Sequence, residues 1–283
     1  MPELELRGGE VDGLSLHYLV EGRGPAVVLL HGLGGFAESW RHNVPALAER
    51  ATVYAIDLPG FGRSAKPRGP YSLEYLARAL HGFLGALELS SASLIGHSLG
   101  GAVCLTYALT LPARVDRLAL IGALVPGFPY RLGWPARVAA CRGVGEVLGL
   151  AGCPPLYKAS IARCFYAPAR REVDFLVDSF YAIRTAPDAR AAFLATLRHL
   201  GSVLPARAAD YRRALATLDV PVLLIHGRQD PVVPAAHCGH ACGGIPRAAV
   251  RWVDRCGHFP HIEHASAVND WLGQFLVGRP APR

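Results

Sequence analysis

Ser98 stands in LIGHSLGG, residues 94–101, behind a short apolar run and with Gly96 and Gly100 two positions away on either side. A strand that reverses into a helix within so few residues strains its apex residue and crowds those neighbours together. Glycines there remove the colliding side chains and lift the hydroxyl out of the sheet edge. The backbone N–H of Leu99 then points into the first turn of the following helix. A serine hydroxyl is a weak nucleophile until a base takes its proton, and the base needs an acid to orient it. The chain supplies both in order. LLIHGRQDPVVP, residues 223–234, ends an apolar run with Asp230, and the proline behind it stops the strand. VDRCGHFPHIEH, residues 253–264, sets His258 in a loop preceded by glycine. Of twelve histidines His258 is the one so placed, whereas His31, His97 and His226 read as packing or turn-bonding residues.

Loops at the ends of strands can bring Ser98, Asp230 and His258 together, so the strands come next. Apolar, β-branched runs alternate with helical stretches, the pattern of a mostly parallel sheet covered on both faces. The runs predict strands at 14–20, 26–30, 52–56, 93–95, 117–121, 221–225 and 250–253, with helices beginning near Ser39, Leu73, Leu99, Pro234 and Ala265. Residues 124–205 break the alternation. REVDFLVDSFYAIRT and DARAAFLATLRHL repeat their apolar positions at three and four, which predicts amphipathic helices and no strand. This insertion follows one strand and precedes another, which places it above the carboxyl ends of the sheet, where open α/β sheets bind ligands. The expected organisation is an α/β core at 1–123 and 206–283 with a helical cap at 124–205.

Composition narrows the classes. At 283 residues, 51% hydrophobic and 18% charged, the chain can bury a large single core. No apolar run reaches the length of a membrane span, and MPELELRGGE lacks the apolar stretch of a signal peptide, so the expected compartment is cytoplasmic. The net charge of +7 is concentrated in 124–205, where ten basic residues face five acidic ones. These arginines are scattered rather than run together, which argues for a solvated basic face, or attraction of an anionic substrate, over a nucleic-acid site. Seven cysteines form no secreted framework. HCGHAC, residues 237–242, groups His237, Cys238, His240 and Cys242 at a spacing that fits no common zinc pattern, on what reads as a short exposed helix, so no metal is expected.

With these motifs in place, the sequence resembles the α/β-hydrolase superfamily. The resemblance runs from GPAVVLLHGLGG through DLPGFGRSAKP and LIGHSLGG to LLIHGRQDPVVP and CGHFPHIEH, nearly the whole core. It implies an α/β-hydrolase fold, the nucleophile–acid–histidine set Ser98, Asp230 and His258, and a helical cap. It also implies a second amide for an oxyanion just after the HG of the third strand, at Leu33, beside Leu99. Haloalkane dehalogenases and epoxide hydrolases resemble this core with aspartate at the elbow; Ser98 implies acyl transfer instead. Some relatives take their acid from the strand before the cap, but LALIGALVPG offers no carboxylate, which favours Asp230. Asp57 reads as a turn stabiliser.

The resemblance therefore implies a cofactor-free serine carboxylesterase acting on a small-molecule ester of short or medium acyl chain, with no nucleic-acid or membrane partner. Two alternatives remain. Carbon–carbon hydrolases of ring-cleavage products share the same three residues beneath a cap, yet usually carry tryptophan after the histidine, where this chain has Phe259. Some members are ligand receptors with vestigial hydrolysis. Trp40, Phe128 and Phe259 are the candidate pocket residues, Trp40 with a competing place in the core. Phe128, Trp134, Phe165, Tyr166, Phe175, Phe180, Tyr181 and Phe193 supply a lid with bulky apolar surface.

Overall fold

Apolar runs that are buried from both sides form the middle of the sheet. The computed structural model describes residues 3–130, 132–150, 154–178, 181 and 185–278; Phe180 and Cys153 lie outside them. Eight strands are present: β1 (Glu3–Glu5), β2 (Ser15–Glu21), β3 (Ala26–Leu30), β4 (Thr52–Ile56), β5 (Ala92–His97), β6 (Val115–Ile121), β7 (Val222–Gly227) and β8 (Ala248–Val253). Their order is β1-β2-β4-β3-β5-β6-β7-β8. The β1–β2 and β2–β4 pairs are antiparallel and the others parallel. Seven strands lie where the apolar runs predict them. The first, β1, lies outside those runs, because three residues at a sheet edge, Glu3 and Glu5 exposed and Leu4 half-buried, carry no readable period.

Side-chain alternation divides the interior into two layers. Leu30, Leu94, Leu120 and Leu224 face one side, against α2 (Leu73–Ala86) and α3 (Leu99–Thr110). Leu29, Ile95, Ile121 and Ile225 face the other, against α1 (Val44–Ala48) and the C-terminal helix. Each such side chain, fully buried, contributes about 1.5–3 kcal/mol, so the central strands are the rigid base of whatever their ends carry. Ser72 caps α2 by accepting a hydrogen bond from Tyr75 N at 3.1 Å, worth about 1 kcal/mol. The helix expected near Ser39 is a 3₁₀ turn, Ala37–Trp40, followed by the short α1.

Between β6 and β7 the described residues form helices and no strand: α4 (Trp134–Ala140), α5 (Val144–Leu150), α6 (Pro154–Ala162), α7 (Arg170–Asp178), α8 (Pro187–Arg198), a π turn at His199–Val203 and α9 (Ala208–Leu215). Phe165, Val173, Leu176 and Val177 pack with Phe36 and Ile262, which fastens this segment to loops at the carboxyl end of the sheet. Not every aromatic of the segment turns inward, since Trp134 is 76% exposed and Tyr166 46%. The chain ends with α10 (Ala235–Gly244), α11 (Pro260–Glu263) and α12 (Ala265–Val277). Among the described residues no helix is long and apolar enough to cross a membrane.

Candidate active site

Ser98 connects β5 to α3 with φ 51° and ψ −115°, a left-handed conformation that costs a non-glycine residue roughly 1–3 kcal/mol. The packing around it enforces that strain. A β-carbon on Gly96 would overlap the Gly100–Gly101 backbone, and one on Gly100 would overlap the carbonyls at the end of β3. Ser98 N donates to Ile121 O at 3.0 Å, which anchors the turn to β6. The hydroxyl is left at the carboxyl edge of the sheet, half-buried.

Asp230 and His258 follow β7 and β8, the next strands beyond β6, so sheet order carries them to the same edge. His258 Nδ1 lies 2.8 Å from Asp230 Oδ2, and Nε2 lies 3.0 Å from Ser98 Oγ. A carboxylate only accepts, so Nδ1 carries the proton and donates it to Asp230. Nε2 is then the acceptor for the serine hydroxyl. Asp230 Oδ1 accepts from Val232 N and Val233 N at 2.8 and 2.9 Å. Burial opposes ionisation of Asp230, but His258, His226 and the Val233 amide outweigh it and hold the carboxyl below its usual range. The three residues expected to cooperate are thus one hydrogen-bonded chain.

The neighbouring histidines support this chain structurally. His97 Nε2 donates to His258 O at 2.8 Å, and burial, with His261 and His258 alongside, keeps its ring neutral. His226 Nε2 donates to Val233 O at 2.8 Å. His31 donates through Nδ1 to Gly32 O and accepts Leu58 N on Nε2. Asp57 receives Ala37 N on Oδ1 and Arg63 N on Oδ2, at 2.6 and 2.7 Å, which makes it the clasp of two turns. Burial pushes its carboxyl up to about 6.

Leu33 and Leu99 follow the two residues that meet at the elbow. A β-carbon added to Gly32 would come 3.1 Å from Ser98 Cβ, so the loop bearing the Leu33 amide lies against the serine. Leu99 is the first residue of α3, where helix N–H groups have no partner within the helix. Both positions suit donors to an anion formed at Ser98.

The candidate pocket residues separate. Trp40 is fully buried against the sheet, its ring tilted against that of His261 with centroids 4.5 Å apart, and belongs to the core. Phe128 lines a cavity of about 290 Å³ with Leu124, Val125, Leu200, Leu204 and Arg212. Leu124 ties that cavity to the elbow backbone by donating its N–H to Ser98 O at 3.4 Å, while Ser98, Leu33, Leu99 and His258 are not among the residues that line it. Phe259 lies between His97 and Phe165, with ring centroids 5.1 and 4.8 Å away. The helix carrying HCGHAC is not the exposed one expected from sequence. His237 and Cys238 are buried, and His237 accepts Val125 N on Nε2 and donates through Nδ1 to Pro129 O, so both ring nitrogens are engaged.

Sequence reasoning missed two acidic residues that join distant segments. Glu172 of α7 receives Arg41 and His42 from the loop after β3, while Arg41 stacks 3.6 Å over Phe175. Glu263 bonds two amides, Gly257 N and Tyr166 N. The one sequence signal for each is an acid set among apolar residues, and it names no partner.

Residues 27–271 match the model of the alpha/beta hydrolase family. The chain belongs to this family. It is 32% identical over 267 residues to a 2-hydroxy-6-oxo-2,4-heptadienoate hydrolase of Pseudomonas putida, an alignment covering 89% of this chain and 90% of that one. It is 31% identical over 281 residues to a pimeloyl-[acyl-carrier protein] methyl ester esterase of Xanthomonas campestris, covering 94% and 100%. Among solved structures, the 2-hydroxy-6-oxo-6-phenylhexa-2,4-dienoate hydrolase of a Rhodococcus species superposes with a TM-score of 0.82 at 28% identity, covering 97% of this chain and 98% of that one. The fold and the family expected from the motifs are therefore established, and of these relatives two are named as hydrolases and one as an esterase.

Proposed function

We propose that the protein is a serine hydrolase cleaving carboxylic esters of small or medium acyl chains through an acyl-enzyme on Ser98. The observation that carries this reading is the unbroken chain from Ser98 Oγ through His258 to Asp230, with the serine held at positive φ. Nε2 of His258 takes the hydroxyl proton as Oγ attacks the ester carbonyl. The carbonyl oxygen becomes an oxyanion facing the amides of Leu33 and Leu99, each worth about 3 kcal/mol at such a site. The imidazolium, steadied by Asp230, returns its proton to the leaving alcohol. Water repeats the cycle on the acyl-enzyme and frees the acid.

Residues 124–205 serve as the cap, and the 290 Å³ cavity beside Leu124 as the acyl pocket. Its apolar lining favours a short hydrocarbon chain over a polymer. Pre-steady-state release of p-nitrophenol from a short-chain ester tests the proposal: a burst equal to the enzyme concentration, abolished in Ser98→Ala, supports it, and steady release that survives Ser98→Ala overturns it.

The likeness to dienoate hydrolases supports a second reading, hydrolysis of a ring-cleavage product at the same serine. Phe259, where that class usually carries tryptophan, weighs toward the ester. Rapid cleavage of a ring-fission dienoate with negligible ester turnover reverses the order. Tight binding of either ligand with no turnover points to a receptor.

A further inference from the structure

The peptide that carries His258 is gripped from two sides. His97 Nε2 donates to its carbonyl at 2.8 Å, and its own N–H donates to Cys164 O at 2.7 Å. Cys164 belongs to the insertion, in the turn between α6 and α7. The same turn meets the histidine loop again through Glu263, whose Oε1 accepts Gly257 N and whose Oε2 accepts Tyr166 N, both at 2.8 Å. The fit is close enough to exclude a side chain, since a β-carbon on Gly257 would overlap Cys164 O and crowd the Phe165–Tyr166 peptide. Phe165 and Phe259 complete the contact with ring centroids 4.8 Å apart.

We propose that Glu263 is a positioning residue for His258, joining the histidine loop to the 164–166 turn through Gly257 N and Tyr166 N so that the imidazole is aimed at Ser98 while that turn is seated. A carboxylate is suited to this task because it accepts two amide hydrogens and offers no competing donor, and charge strengthens both bonds. The two bonds act in series. Lifting the turn removes the partner of His258 N and one partner of Glu263 together, so the base loses its fixed direction as the insertion moves away. The aim of the base and the closure of the insertion over the site are one event.

The proposal rests on the reading of His258 as the base, and the experiment keeps the two apart. Glu263→Gln places an amide donor opposite one of the two N–H groups, and Gly257→Ala wedges the turn away with Glu263 intact. Steady-state kinetics on p-nitrophenyl butyrate, well below each variant's melting temperature, read the effect. In each variant kcat is expected to fall about 10- to 100-fold, as misplacement of a catalytic group by about an ångström does. KM stays within about threefold, since a group used mainly in the transition state affects kcat first. The double variant loses no more than the worse single one, because both substitutions break one coupling. If Glu263→Gln does not fold, Glu263→Asp, one methylene shorter and able to reach one amide only, is read the same way. Normal kcat in folded variants, with only the melting temperature lowered, overturns the positioning role. So does fully additive loss in the double variant. His258→Ala separates the premises: if it is inactive while Glu263→Gln is normal, Glu263 alone has been misread, and if it retains activity, the assignment of the base falls first.

Discussion

His258 Nδ1 lies 2.8 Å from Asp230 Oδ2, and the carboxylate's other oxygen is occupied by two backbone amides. Asp230 is therefore oriented before it orients the imidazole. Asp230→Asn presents an amide hydrogen to the ring and favours the wrong tautomer, so turnover of a short ester should fall by about a thousandfold or more. If Asp57→Asn damages catalysis far more than Asp230→Asn, the acid has been misassigned.

The same carboxyl links stability to pH. Its value is held below the ordinary range only in the folded chain, so in the pH range between the two values the unfolded state binds the proton that the folded state rejects. The contribution is present above about pH 4, the range of an unperturbed aspartate, and is lost as the pH falls through the folded value. Urea midpoints measured across this range should fall more steeply with acid for the wild type than for Asp230→Asn.

Asp57 has the opposite sign. Its folded carboxyl, pushed up to about 6, keeps a proton that the unfolded chain has already released, so the stability it contributes declines as the pH climbs from about 4 to 6. Its two oxygens accept Ala37 N and Arg63 N. In Asp57→Asn one of those buried amides faces an NH₂ group, which costs about 1–3 kcal/mol. The expected result is a lowered melting temperature with kcat close to wild type, since neither turn touches the reacting atoms. A large fall in kcat with unchanged melting would show that Asp57 acts in the chemistry.

Glu172 reaches across 131 residues to Arg41 and across 130 to His42. Its carboxylate is largely buried, and Phe175 on the same helix receives the Arg41 guanidinium. Glu172→Gln leaves that cation without its charged partner, so limited proteolysis should cut between 134 and 206 faster than in the wild type while the sheet melts nearly unchanged. Equal cleavage rates would show that the apolar contacts of Phe36, Phe165 and Val177 alone hold the segment.

These long-range bonds mark where the sequence stops being legible. The elbow could be read because Gly96, Ser98 and Gly100 interact across four residues, and the strands because burial on both faces leaves unbroken apolar runs. Asp230 could be placed because it follows such a run, and His258 because a glycine-preceded loop carries it behind the last strand, although β8 at the sheet edge is only partly buried. Glu263 could not be paired with Tyr166, 97 residues away, because a single acid carries no record of which amide it meets. Trp40 and His237 show the same boundary: their residue types allowed a pocket wall or a metal ligand, and only packing made one core and the other a clamp between two backbone groups.

Taken as the acyl pocket, the cavity lined by Leu124 and Phe128 predicts a maximum in acyl-chain preference. Each methylene that enters apolar surroundings gains about 0.8 kcal/mol, close to fourfold in kcat/KM, until the chain meets the far wall. Beyond that length a further methylene must displace packed side chains and the gain is forfeited. Across p-nitrophenyl esters kcat/KM should therefore climb to a short or medium chain and then fall. Phe128 forms part of that wall and packs against Gly244 on α10. Phe128→Ala should move the maximum to longer chains, because it enlarges the cavity that Phe128 lines. A profile that rises without a maximum to long-chain triglycerides would show that the acyl chain leaves by another route, and an unmoved maximum in Phe128→Ala would place the acyl pocket away from this cavity.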